Sequence, residues 1–184
     1  MSDKGLQEKF RIGFLTAVEV EEAGFVGGLL VTNHFGRPLE FQCTTPVKPN
    51  KSQEILYGPT LVPYMLSDLI GKTLIEKVSV KPHIVLTEQS ELLSLRENIS
   101  IPVACVTRED SESASENGLE NSQEKTEDRL QFGKQKLRFH PSHTDDQQIV
   151  ENSRNELIEE ADLTEPFDRI REALNETMNS ATVR

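Results

Sequence analysis

The stretch from Gly24 to Phe41, GFVGGLLVTNHFGRPLEF, decides how this chain is read. Gly24 to Thr32 is β-branched and apolar over strand length, and Leu39 onward alternates apolar with polar residues. Between them Asn33-His34-Phe35-Gly36-Arg37-Pro38 is dense in turn formers. Two strands joined by a tight turn follow. Gly27-Gly28 weakens a strand unless a bulge or close packing requires it.

Working outward, Phe10 to Val20 (FRIGFLTAVEV) is a preceding strand, and Glu21-Glu22-Ala23-Gly24 its turn. The third strand runs from Leu39 to Thr44, which completes an antiparallel meander. Pro46-Val47-Lys48-Pro49-Asn50-Lys51 is a stiff loop, because each proline fixes its own φ and restricts its predecessor. Ser52 is the expected cap of the first helix, with Glu54 in the first turn, where the helix dipole favours an anion. Gly58-Pro59 and Pro63 predict that this helix stops near Tyr57 and restarts to about Glu76. His83 to Thr87 and Ile101 to Val106 are continuous apolar runs, as in strands covered on both faces, with a short helix from Ser90 to Glu97 between them. Strands alternating with helices imply parallel pairing.

The fold expected is therefore α/β: a mixed five-stranded sheet, a three-strand antiparallel meander plus parallel strands, over residues 1–107. Residues 108–133 read as an acidic low-complexity linker. Between Glu109 and Asp128 there are eight acidic residues against one lysine, seven of the chain's eleven net negative charges. Such a composition does not offset its ordering entropy. Residues 134–184 read as a helical tail with a short strand at Lys136–His140, a polar helix from Thr144 to about Glu160, and a last helix capped by Thr164. The last helix carries Phe167, Ile170, Leu174 and Met178 at helical spacing. That stripe either docks on the first domain or serves as a partner-binding face.

A strand–strand–strand–helix–strand–helix–strand order resembles the ribonuclease H-like superfamily. GFVGGLLVTNHFGRPLEF is similar to its glycine-bearing second strand, turn and third strand, and KSQEIL (51–56) to the start of its first helix, whose metal-binding glutamate falls on Glu54. VLTEQ (85–89) is similar to the end of its fourth strand, where a metal-binding aspartate falls on Glu88 or Thr87. The resemblance spans Phe10 to Val106. It departs where the family's first strand supplies a central aspartate, because Ala17 stands there and cannot ligate a hard cation. The resemblance therefore implies a catalytically degenerate member.

The functional expectation is a non-enzymatic, cytoplasmic interaction or scaffold protein without cofactor. It would have a protein partner, no membrane span, and an acidic surface that makes nucleic acid unlikely. The alternative is a nuclease dependent on Mg or Mn and using Glu19, Glu54 and Glu88. Arg37, Lys48, Lys51, Glu54 and Glu88 are the candidate anion or ligand contacts. His140 and His143, separated by Pro141, lack metal-ligand spacing, and Cys43 and Cys105 read as buried thiols in strands.

Overall fold

The computed structural model describes residues 10–107, 129–153 and 161–182. The acidic stretch expected to be a linker lies, from residue 108 to 128, outside the described residues. β1 (Arg11–Val20) and β2 (Gly24–Asn33) form a long antiparallel hairpin, and β3 (Pro38–Cys43) adds to β2. β4 (Ile84–Thr87) joins β1 in parallel and β5 (Val103–Thr107) joins β4 in parallel.

The sheet has seven strands rather than five. β6 (Arg129–Phe132) and β7 (Gln135–Phe139) form a hairpin that pairs antiparallel with β5, giving the order β3-β2-β1-β4-β5-β7-β6. Residues 129–132, read above as linker, thus form the edge strand. The alternation in RLQF is clear, with Leu130 and Phe132 inward, but four residues carry too little pattern to be told from a linker's end.

One face of the sheet is covered by a broken helical run. α1 (Lys51–Tyr57) is followed by a 3₁₀ turn at Gly58–Thr60, α2 (Leu61–Tyr64), a π-helical stretch at Met65–Gly71 and α3 (Lys72–Lys77). The expected restart after Tyr57 is therefore present. Leu66, Ile70 and Leu74, with Leu92 and Leu95 of the 3₁₀ segment Ser90–Glu97, pack on Leu15, Leu29, Val31, Val85 and Val103. The other face is covered by α4 (Asp145–Ser153) and α5 (Glu165–Thr182). Here Val150, Phe167, Ile170 and Leu174 pack on Phe14, Val26, Leu30, Leu86 and Phe139.

The glycine pair is explained by this sandwich. Successive strand residues face opposite sides. A Cβ on Gly27 would stand 2.0 Å from Ile70 Cγ2 on one side, and a Cβ on Gly28 would stand 2.6 Å from Ile170 Cγ2 on the other. Both helical layers approach the same two residues of β2, so the strand tolerates the weakness that the sequence flags.

α5 settles the apolar stripe. Phe167, Ile170 and Leu174 are buried and Met178 packs at the margin, so those four residues face the chain's own sheet and not a partner groove. Phe14 and Phe167 meet edge to face, with ring centroids 5.4 Å apart. α4 is fastened separately: Asp146, almost fully buried, receives two bonds from Arg96, at 2.7 and 3.1 Å. Among the described residues, no helix is long and apolar enough to cross a membrane.

Candidate active site

Two carboxylates line one cleft at the end of the first hairpin. Glu19 lies one residue from the end of β1, on the face that carries Leu15 and Ala17. The turn that follows holds Glu22 at φ 64° and Gly24 at φ 94°, where a side chain would collide with the Val47 carbonyl. Phe25 and Val47 exchange two backbone bonds of 2.8 Å, which lays the proline loop along the end of β2. Asn50 then starts α1. Its Oδ1 accepts the Gln53 N–H at 2.9 Å and its own N–H donates to Gln53 Oε1 at 3.0 Å, a reciprocal capping box. The cap is thus Asn50 and not Ser52.

That geometry delivers Glu54, in the first turn of α1, to the cleft that Glu19 lines. The cleft measures about 570 Å³ and is bordered also by Glu21, Glu22, Phe25 and Lys48. Lys48 Nζ donates to the Glu22 carbonyl at 2.8 Å, which places an ammonium at the rim. Lys51 pairs with Glu54 across one helical turn at 3.2 Å, both side chains well exposed. Such an exposed pair contributes little to stability.

The other expected site residues lie elsewhere. Glu88 follows β4 on the α5 face, with its carboxylate against the Arg171 guanidinium; Arg171 also pairs with Asp168 at 2.8 Å. Glu88 is therefore not brought to Glu19 and Glu54. Arg37 sits just after the β2–β3 turn, at the opposite end of β3 from Lys48 and Lys51, so the three cations do not form one anion site. Ala17, at the position of the missing aspartate, exchanges backbone bonds with the Gln89 side chain: its N–H donates to Oε1 at 2.8 Å and its carbonyl accepts from Nε2 at 3.1 Å. Gln89 thereby closes the end of β1 onto the end of β4. The sequence reading missed this role, whose only signal was a polar residue directly after an apolar strand.

A three-carboxylate metal site therefore does not fit this fold. Among the described residues, no group of three or more His, Cys, Asp or Glu side chains is placed to hold a metal ion. Glu19 and Glu54 remain as a pair. Mg²⁺ keeps several waters and is commonly held by one or two carboxylates together with substrate phosphates, so a pair beside an open cleft fits that mode.

No family model matches the chain, and no curated protein matches it. Among solved structures, it is similar to Ciona intestinalis endonuclease V (D234N) in complex with a 23mer DNA containing an inosine followed by a ribo-adenosine. That match is at 13% identity and TM-score 0.37, over 56% of this chain and 48% of that one. It is also similar to Bacillus subtilis endonuclease V, at 10% identity and TM-score 0.38, over 61% of this chain and 46% of that one. The chain thus spans under half the length of either, and the likeness is a weak one of fold alone. Two expectations are corrected at this point, the non-enzymatic scaffold and the improbability of nucleic acid. Both similar structures are nucleases, and one is bound to DNA.

Proposed function

We propose that the protein is a divalent-metal-dependent nuclease on a ribonuclease H-like frame, acting at the cleft lined by Glu19 and Glu54. The observation that carries this reading is that one strand end and one capped helix start bring these two carboxylates, with Lys48, to the same open cleft. The order β3-β2-β1-β4-β5 supports the frame, with a meander followed by two parallel strands.

The residues divide the work by their chemistry. Glu19 and Glu54 would hold a hydrated Mg²⁺ or Mn²⁺, which supplies charge neutralisation and a bound water of lowered pKa. Lys48 offers three N–H donors as a point charge for a phosphate oxygen at the rim. Glu19 stands one pleat beyond Ala17 on the same strand face, so the carboxylate missing at Ala17 is supplied two residues later. With a net charge of −11, the chain needs a metal at this point, because phosphate would otherwise meet an acidic rim.

The test is cleavage of single-stranded DNA, duplex DNA, RNA and RNA–DNA hybrid oligonucleotides with Mg²⁺ or Mn²⁺ by the full chain. Glu19→Gln and Glu54→Gln should each lower cleavage of at least one substrate by 10²-fold or more, in order of magnitude, with unchanged melting. Absence of metal-dependent cleavage on all four substrates, or cleavage indifferent to both substitutions, refutes the assignment.

A further inference from the structure

The cleft that holds Glu19 and Glu54 also carries apolar surface for which a metal ion has no use. Phe25 gives both of its backbone bonds to Val47, on the side of β2 away from β1. Its pairing with Glu19 is therefore of the non-hydrogen-bonded kind, in which antiparallel partners come closest, with Cα atoms about 4.5 Å apart. Directly opposed residues share a sheet face. The Phe25 ring thus stands beside the Glu19 side chain, half-buried and lining the cleft.

Glu54 has apolar neighbours as well. Ile55 and Leu56, the next two residues of α1, are 70% and 82% exposed, and α1 buries none of its residues. Side chains left in water contribute little to folding, so the fold gives no reason for two large aliphatic groups at these positions.

Charge narrows what can lie on this surface. Among the described residues that line the cleft, four are carboxylates, Glu19, Glu21, Glu22 and Glu54, and Lys48 is the one cation. A divalent ion at Glu19 and Glu54 offsets only part of that charge, so few phosphates are welcome at once. Duplex DNA presents one negative charge per about 1.7 Å of its axis and keeps its base faces inside the stack. A single strand spreads its charge more thinly, at one per about 3.4 Å, and turns its bases outward onto apolar and aromatic side chains.

Resting on the nuclease reading, we infer that the substrate of this site is single-stranded nucleic acid, with one base stacked on the Phe25 ring beside Glu19 and another packed on Ile55 and Leu56 beside Glu54. Every base has a π-face, so the strand is held with little regard to sequence.

The experiment measures binding by the full chain, by fluorescence anisotropy, with Ca²⁺ replacing Mg²⁺ so that cleavage does not enter. The probes are labelled single strands of DNA and of RNA of about 12 nucleotides, a hairpin duplex, and a strand whose central nucleotides are abasic. At least one intact single strand should bind about tenfold more tightly than the duplex and than the abasic strand. The DNA and RNA strands together show which sugar is preferred. Phe25→Leu, which keeps an apolar side chain but no ring, and Leu56→Ser, at an exposed position, should each weaken single-strand binding several-fold with unchanged melting, whereas Phe25→Tyr should retain it. The inference is overturned if neither single strand saturates, if the duplex or the abasic strand binds as tightly, or if Phe25→Leu and Leu56→Ser both bind like the parent. Cleavage with Mg²⁺ or Mn²⁺ is scored separately: cleavage without a single-strand preference refutes this inference alone, and single-strand binding without any cleavage refutes the nuclease reading alone.

Discussion

Replacing Gly27 by alanine adds one methyl group, and the structure says where it goes. The new Cβ would lie 2.0 Å from Ile70 Cγ2 and 3.2 Å from Leu74 Cδ1. Ile70 is fully buried in the helical layer, and protein interiors are close-packed. Overpacking of a tight core costs about 1–3 kcal/mol, and a contact this short belongs at the upper end. Against it stands the smaller conformational entropy of alanine in the unfolded chain, worth about 0.4–1 kcal/mol where the backbone is compatible. The net expectation is a loss of about 2 kcal/mol, which for a chain of this length lowers Tm by roughly 4–8 °C. Urea unfolding should show the same loss as a lower midpoint with an unchanged slope. Ile70→Ala alone should cost about 2–5 kcal/mol for the cavity it leaves. Combined with Gly27→Ala, it removes the clashing methyl, so the double variant should lose less than the two single losses together, by about 0.5–3 kcal/mol. A Gly27→Ala protein as stable as the parent, or strict additivity in the double variant, would show that the close approach of the helical layer to β2 is not what the glycine serves.

Three further outcomes follow from the same structure. Asp146→Ala leaves Arg96 without its carboxylate at a largely buried site, and should cost about 3–5 kcal/mol in calorimetry; a loss under about 1 kcal/mol would mean α4 is not held by this pair. Leu174→Asp places a charge in the α5 contact, where Leu174 is 2% exposed, and should destabilise by at least the roughly 2–5 kcal/mol of the corresponding alanine change; unchanged melting would mean α5 does not dock. The Asp162 carboxyl is held below its ordinary value of 3.8, first by the Thr164 hydroxyl and then by the Thr164 N–H. A depressed folded-state pKa gives stability that is fully present above the unfolded value and is lost as pH falls through the lower folded one. Asp162→Asn should therefore flatten the stability–pH profile below about pH 4, and an unchanged acid slope in urea unfolding would exclude that contribution.

Much of this fold is written locally. The meander, the break at Gly58-Pro59 and the two buried parallel strands are legible because alternation, proline geometry and uninterrupted apolar runs act within a few residues. β6 was not legible, since its four residues gain their strand character only by pairing with β7, which in turn leans on β5. The apolar spacing of α5 was visible, but spacing states which face is apolar and not what covers it. The sheet answered that, through Phe14, Val26 and Leu30.

The candidate site divides in the same way. The sequence determined which residues carry charge, that Ala17 cannot bind a metal, and that Glu54 opens a helix. Tertiary structure alone decided that Glu19 and Glu54 share a cleft, that Glu88 belongs to Arg171 on the opposite face, and that Arg37 stands away from Lys48 and Lys51. The physical reason is the strand period of two and the length of the strands. One residue's shift along a strand sends a side chain to the other side of the sheet, and a ten-residue strand carries its two ends into different surroundings.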